Sequence, residues 1–251
     1  MKIAFLFVLL GLPLALAQDR RVPVIVELFT SEGCSSCPPA DLLLSRLEKA
    51  QPVAGARIIA LEEHVDYWNQ LGWVDPFSAP RYRSRQNDYG VVLHLENIYT
   101  PEMVVNGQAE FVGNDGNRAL QAIGAARQTT LVDLQHTPNA SDPDLVDLAV
   151  QVTNSDVKKS RSSDVYLAVT ESEIESQVLR GENAGRRLRH APVVRSFGVI
   201  GRIDPHGSNV GQITNTLRLP HEWRRENLRA VVFVQERSSM RITGAAIAEL
   251  H

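Results

Sequence analysis

Two cysteines three residues apart, between a strand and a helix, constrain this chain more than any other feature. Cys34 and Cys37 are its only cysteines, in the segment Gly33-Cys34-Ser35-Ser36-Cys37-Pro38-Pro39. Upstream, Val22 to Thr30 (VPVIVELFT) is an apolar, β-branched run suited to a buried strand. Downstream, Ala40, Leu43, Leu44 and Leu47 recur at helical spacing, and proline is tolerated in a first helical turn. Ala56 to Leu61 (ARIIAL) reads as a second strand, so the order implies a right-handed crossover and a parallel pair. Cys34 then falls at the N-terminus of a helix, with Cys37 one turn deeper. Unpaired backbone N–H groups and the positive end of the helix dipole favour an anion there, and a thiolate is one. Cys34 is expected to be the exposed nucleophile and Cys37 the resolving thiol. Closing so short a loop removes little entropy from the unfolded chain, so the pair is a poor staple. An inert disulfide and a metal site using both sulfurs stay open as alternatives.

The chain opens like an export signal. Met1-Lys2 is basic, Ile3 to Leu14 is apolar apart from Gly11 and Pro13, and Ala15-Leu16-Ala17 offers a cleavage site. Residues 1–17 are therefore expected to be a signal peptide, and the mature protein to be periplasmic or secreted. The apolar run falls short of the ~20 residues a membrane span needs, and no later segment replaces it, so no span is expected after cleavage. A formal net charge of −3 gives no basic excess to hold nucleic acid.

Further along, Met103 to Val105 is a short strand, Asn106-Gly107 a hairpin turn signal, and Ala109 to Val112 a return strand. A helix carrying Leu120, Ile123 and Ala126 follows. The order βαβ, insertion, ββα, with the cysteine pair after the first strand, resembles the thioredoxin fold. The resemblance implies a cis-proline facing the cysteines, and Pro101 stands in that place. It implies that the backbone around Thr100 pairs with an extended substrate peptide. It also offers Glu27, seven residues before Cys34, as a buried carboxylate that takes a proton from the resolving thiol. The register differs by one residue, so a strand residue facing elsewhere is the alternative. Gly33 stands where thioredoxins usually carry Trp, and Ser35-Ser36 replaces Gly-Pro, which leaves the direction of electron flow open. The stretches VELFTSEGCSSCPPAD, HVDYWNQLGWVDPF, YTPEMVVNG and RGENAGRRL together resemble an exported bacterial family catalogued as domain of unknown function 1223.

Strand carboxyl ends surround the ligand site in open α/β sheets, which puts His64, at the end of the second strand, on the edge that carries the cysteines. It is read as a thiolate stabiliser or proton relay, or as an ordinary strand cap. The insertion 65–98 is rich in aromatics and contains Arg81, Arg83 and Arg85. Tyr67 and Trp68 are the residues expected to meet substrate. The alternative is a helical cap packed on the sheet.

Residues 129–143 read as a linker. Beyond them, candidate strands cover 145–153, 164–170, 191–203, 212–219, 228–235 and 242–250. The expected fold class is an α/β thioredoxin-like N-terminal domain (18–128) followed by an all-β sandwich-like C-terminal domain (144–251). Arg180 to His190 (RGENAGRRLRH) is not a Walker loop or a dinucleotide fingerprint. It is a basic β-loop, or a contact with the insertion or with substrate. No cofactor is expected. The leading reading is an exported thiol–disulfide oxidoreductase working through a mixed disulfide on protein or small thiols, with a protein thiol or disulfide as substrate or redox partner. The alternatives are a copper(I) chaperone using Cys34, Cys37 and His64 or His94, and a non-catalytic adaptor.

Overall fold

The computed structural model describes residues 21–154, 161–204 and 210–251; the expected signal peptide, residues 1–17, lies outside them. Strands β1 (Val22–Thr30) and β2 (Ala56–His64) run parallel, Val22 opposite Ala56 and Thr30 opposite His64, with helix α1 (Pro38–Ala50) as the crossover. Helix α2 (Pro80–Val92) lies in the insertion. Strand β3 (Glu102–Val105) pairs antiparallel with the other side of β1 and turns through Asn106-Gly107 into β4 (Ala109–Val112). Both turn residues have positive φ, 47° and 67°, which asparagine and glycine tolerate best. Helix α3 (Gly116–Ala125) follows, capped by the Asp115 carboxylate, which accepts from the Arg118 backbone N–H.

Strand alternation decides what each face buries. Val24, Val26 and Leu28 of β1, with Ile58 and Ala60 of β2, pack against Ala40, Leu44 and Leu47 of α1 and Ile123 of α3. Ile25 and Phe29, with Ile59 and Leu61, point to the opposite face, where Tyr82 and Tyr89 of α2 cover them.

The second half supplies strands β5 (Thr130–Pro138), β6 (Leu145–Asn154), β7 (Ser163–Glu171), β8 (Glu175–Gln177) and β9 (Arg187–Arg189). It continues with β10 (Val193–Ile203), β11 (Val210–Arg218), β12 (Leu228–Glu236) and β13 (Ile242–Glu249). These do not build the expected architecture. Among the described residues, strands from both halves join one eight-stranded mixed sheet in the order β13-β12-β7-β10-β2-β1-β3-β4. Of the described residues 44% are in strands and 19% in helices, so the architecture is mostly β and is not a thioredoxin-like βαβ domain followed by a separate sandwich. The joint is Val193 of β10 beside Glu62 of β2, where the Glu62 N–H donates to the Pro192 carbonyl at 3.0 Å. An open edge on a buried parallel strand leaves backbone groups unpaired, and β10 pairs with that edge at this one position near its C-terminal end.

The stretch read as a linker carries β5, which forms a three-stranded sheet with β6 and β11. That sheet packs Val132, Leu148, Val150 and Val152 against Val165, Leu167 and Val169 of β7 and Ala230 and Val232 of β12. Among the described residues, no helix is long and apolar enough to cross a membrane.

Candidate functional site

Cys34 and Cys37 form a disulfide at the start of α1, with their Cα atoms 5.4 Å apart. The helix begins at Pro38 and Cys37 is its N-cap, so Cys34 lies outside the helix rather than at its first turn. The supply of helix-start donors is also smaller than expected. Pro38 and Pro39 carry no N–H, and the N–H groups of Ala40 and Asp41 are both taken by the Cys37 carbonyl. The local donor to a Cys34 thiolate is instead Ser36, whose Oγ lies 3.4 Å from the Cys34 Sγ. Nor is Cys34 exposed: both cysteines are 0% exposed, whereas Ser35 and Ser36 between them face solvent.

Of the residues expected around substrate, Trp68 and Thr100 lie beside this loop. The Thr100–Pro101 peptide is cis. Pro101 and Ala40 of α1 both border Gly113: a Cβ added to that glycine would lie 3.0 Å from Pro101 Cβ, 3.1 Å from Ala40 Cβ and 2.7 Å from Leu28 Cδ1. Trp68 donates its indole N–H to the Thr100 hydroxyl at 2.9 Å. Its Cβ would be 3.1 Å from a Cβ on Gly33, so the glycine before Cys34 makes room for the backbone and Cβ of Trp68 from the insertion. The neighbouring Tyr67 hydroxyl donates to Gln86 at 3.2 Å. Burial pushes that phenol up to about 12, so it stays a neutral donor.

Glu27 does not belong to this site. As an odd residue of β1 it points to the α2 face, where Arg85 donates Nε–H to its carboxylate at 2.5 Å and the Tyr89 hydroxyl also donates to it. Arg85 spends its other donors on Tyr89 (2.9 Å) and Gln235 (3.0 Å). The α1 face instead carries Asp41, one helical turn after Cys37. Asp41 is buried and accepts from the Thr30 hydroxyl at 2.7 Å. Burial first, and the nearby Glu62 charge second, push its carboxyl up to about 8, so it holds a proton at neutral pH.

Beyond Asp41 lies a buried chain of alternating charge. Asp75 takes His64 Nδ1 at 2.7 Å, and Glu62 takes His64 Nε2 at 3.0 Å and His190 Nδ1 at 2.9 Å. His190 Nε2 faces Ser176 at 2.9 Å and Glu32 at 3.3 Å. Burial opposes the imidazolium of His64, but Asp75 and Glu62 outweigh it and hold His64 well above its usual range. Burial likewise opposes His190, and Glu62 and Glu32 raise it to about 9. Glu62 is held below the ordinary carboxylate range against its own burial by the same two histidines. Both rings are therefore charged at neutral pH.

Glu62, His64 and His190 offer ligand atoms within 4.8 Å of one another. Both ring nitrogens of His64 are engaged, Nδ1 with Asp75 and Nε2 with Glu62, so neither is free to stabilise a Cys34 thiolate. His94 sits in the turn after α2 with a φ of 57°.

Sequence reasoning missed Asp41, Glu62, Asp75, His190 and Asn183. Glu62-Glu63-His64 at the end of an apolar run was a signal, since charge on a strand buried on both faces needs partners. Asp41 inside an apolar helical stripe was another. No local pattern could pair His64 with His190, 126 positions later.

Fold and site define a β-rich protein whose large mixed sheet carries a disulfide loop at a helix start, beside a cis-proline and above a buried charge network. The chain belongs to the family described as "Protein of unknown function (DUF1223)", whose model matches residues 25–235. It is similar to a crystal structure of a protein from Agrobacterium tumefaciens, with 26% identity, a TM-score of 0.68, and 92% of this chain and 96% of that one covered. It is also similar in fold to the protein HBP35 of Porphyromonas gingivalis, with 14% identity, a TM-score of 0.66, and 92% and 76% covered. None of the curated proteins compared matches it.

Proposed function

We propose that this is an exported thiol–disulfide oxidoreductase acting on a protein thiol or disulfide. The observation that carries the reading is the Cys34–Cys37 disulfide itself. It closes a four-residue loop whose staple value is small; Trp68, which bonds Thr100, packs against Gly33 beside it, and the protonated Asp41 follows Cys37 by one helical turn. The apolar contacts of Ala40, Leu44 and Leu47 anchor α1 without it.

In the oxidising direction, a substrate thiolate attacks Cys34 Sγ and breaks the Cys34–Cys37 bond. The electron pair leaves on Cys37, and Asp41 supplies the proton. A second substrate thiolate then attacks the substrate sulfur of the mixed disulfide, releasing Cys34 as a thiolate that the Ser36 hydroxyl solvates. The same steps reversed reduce a substrate disulfide. The apolar start of the chain supports a periplasmic or secreted setting, and protein thiols there are substrates of matching chemistry.

The test is the reduction potential, measured by thiol trapping in glutathione and dithiothreitol buffers, together with Cys37→Ser. The reading expects a potential above about −270 mV and a stable mixed disulfide on Cys34 in the variant. A pair that stays oxidised below about −300 mV behaves as a structural disulfide and overturns it.

A further inference from the structure

We propose that the segment Gly181–Asn183 is a strap that covers the disulfide and swings away to admit substrate; this deepens the thiol–disulfide reading and rests on it. Attack on a disulfide requires the incoming sulfur to reach one of the two bonded sulfurs along the S–S axis. Here both cysteines are fully buried although their loop lies at the surface. The strap comes from more than 140 positions downstream. Asn183, itself 0% exposed, donates its side-chain N–H groups to the Cys34 carbonyl and to the Glu32 carbonyl, both at 2.9 Å. Glu182 accepts the Ser35 N–H at 3.0 Å, the donor in the cysteine loop that a substrate carbonyl would otherwise meet.

The strap is built to move as one piece. Among the described residues, β8 and β9 pair only with each other, so lifting their loop breaks no bond of the main sheet. Within the loop, Ala184 N–H bonds to Gly181 O, Gly185 N–H to Val178 O and Arg186 N–H to Asn183 O. Its roots stay fixed: Val178 is fully buried, Leu188 nearly so, and Ser176 is bound to Glu32 and His190. Gly181, with a φ of 75°, lies against Trp73, where a Cβ would come 3.2 Å from the Trp73 Cβ. That contact and the three bonds to the cysteine loop hold the strap shut, and the two from Asn183 are the buried ones. The basic stretch singled out in the sequence thus contacts both the insertion and the cysteine loop.

The experiment compares the purified protein with Asn183→Ala and Gly181→Ala. Dithiothreitol reduction is the first readout: its thiolate attacks a protein sulfur, its second thiol closes the cyclic disulfide, and both protein thiols are released. The second readout is hydrogen exchange at the Ser35 amide. A strap in equilibrium between shut and open predicts that Asn183→Ala speeds reduction about tenfold or more, because two buried hydrogen bonds are lost. It also predicts faster exchange at Ser35, although Glu182 is untouched, and Gly181→Ala moves both readouts the same way. Equal reduction rates and equal Ser35 exchange across the three proteins overturn the strap. If Ser35 exchange rises in both variants while the disulfide resists reduction in all three, the strap stands and the oxidoreductase reading falls.

Discussion

Replacing Asp41 by asparagine tests the buried charge arrangement directly. Asp41 is 3% exposed, and its carboxyl keeps its proton up to about pH 8. In the unfolded chain the same group ionises near its ordinary value of about 3.9. The folded state therefore binds a proton that the unfolded state has lost. The stability tied to this group is fully present below about pH 4 and is lost as pH rises toward 8, at about 1.4 kcal/mol per pH unit. By pH 7 the loss is roughly 4 kcal/mol, a large part of the 5–15 kcal/mol typical of a folded domain. Asparagine still accepts from the Thr30 hydroxyl and does not titrate. It also leaves the field at Glu62, His64 and His190 unchanged below pH 8, because Asp41 is neutral there. Urea unfolding of both oxidised proteins at pH 4, 5.5, 7 and 8 is the assay. Relative to wild type, Asp41→Asn gains roughly 4 kcal/mol between pH 4 and pH 7. A stability difference that stays constant across this range refutes the reasoning, since Asp41 would then ionise as in the unfolded chain.

Two further outcomes follow from the other face and from the hairpin. Arg85→Met leaves the fully buried Glu27 carboxylate without its guanidinium partner and costs about 3–5 kcal/mol in urea unfolding. Adding Glu27→Gln restores most of that loss and leaves the reduction potential unchanged, whereas a shifted potential would return Glu27 to the redox site. Gly107→Ala puts a Cβ 2.0 Å from the Met240 carbonyl oxygen at a φ of 67°. It costs at least about 2 kcal/mol more than Gly55→Ala, whose φ is also positive but whose Cβ meets nothing within 4 Å. Equal thermal shifts for the two variants would show that the contact with Met240 relaxes freely.

What local sequence determined here is what depends on neighbours along the chain. The apolar run before Gly33, the stripe Ala40-Leu43-Leu44-Leu47 and the Asn106-Gly107 pair gave β1, α1 and the β3–β4 turn, because strand alternation, helical spacing and positive-φ turns are short-range rules. The six strands expected beyond residue 144 correspond to β6, β7, β10, β11, β12 and β13 for the same reason. Tertiary structure alone decided which edges meet and which faces are shared. Periodicity in β10 gives its two faces but not its neighbour, so it could not show that β10 would join β2 at Glu62 and merge two expected domains into one sheet. Nor could it turn Glu27 toward Arg85, bring His190 against Glu62, or lay Asn183 across Cys34. Those contacts join residues 58, 128 and 149 positions apart. Buried charge and buried backbone groups must find partners, but the pairing is chosen by the packed sheet as a whole.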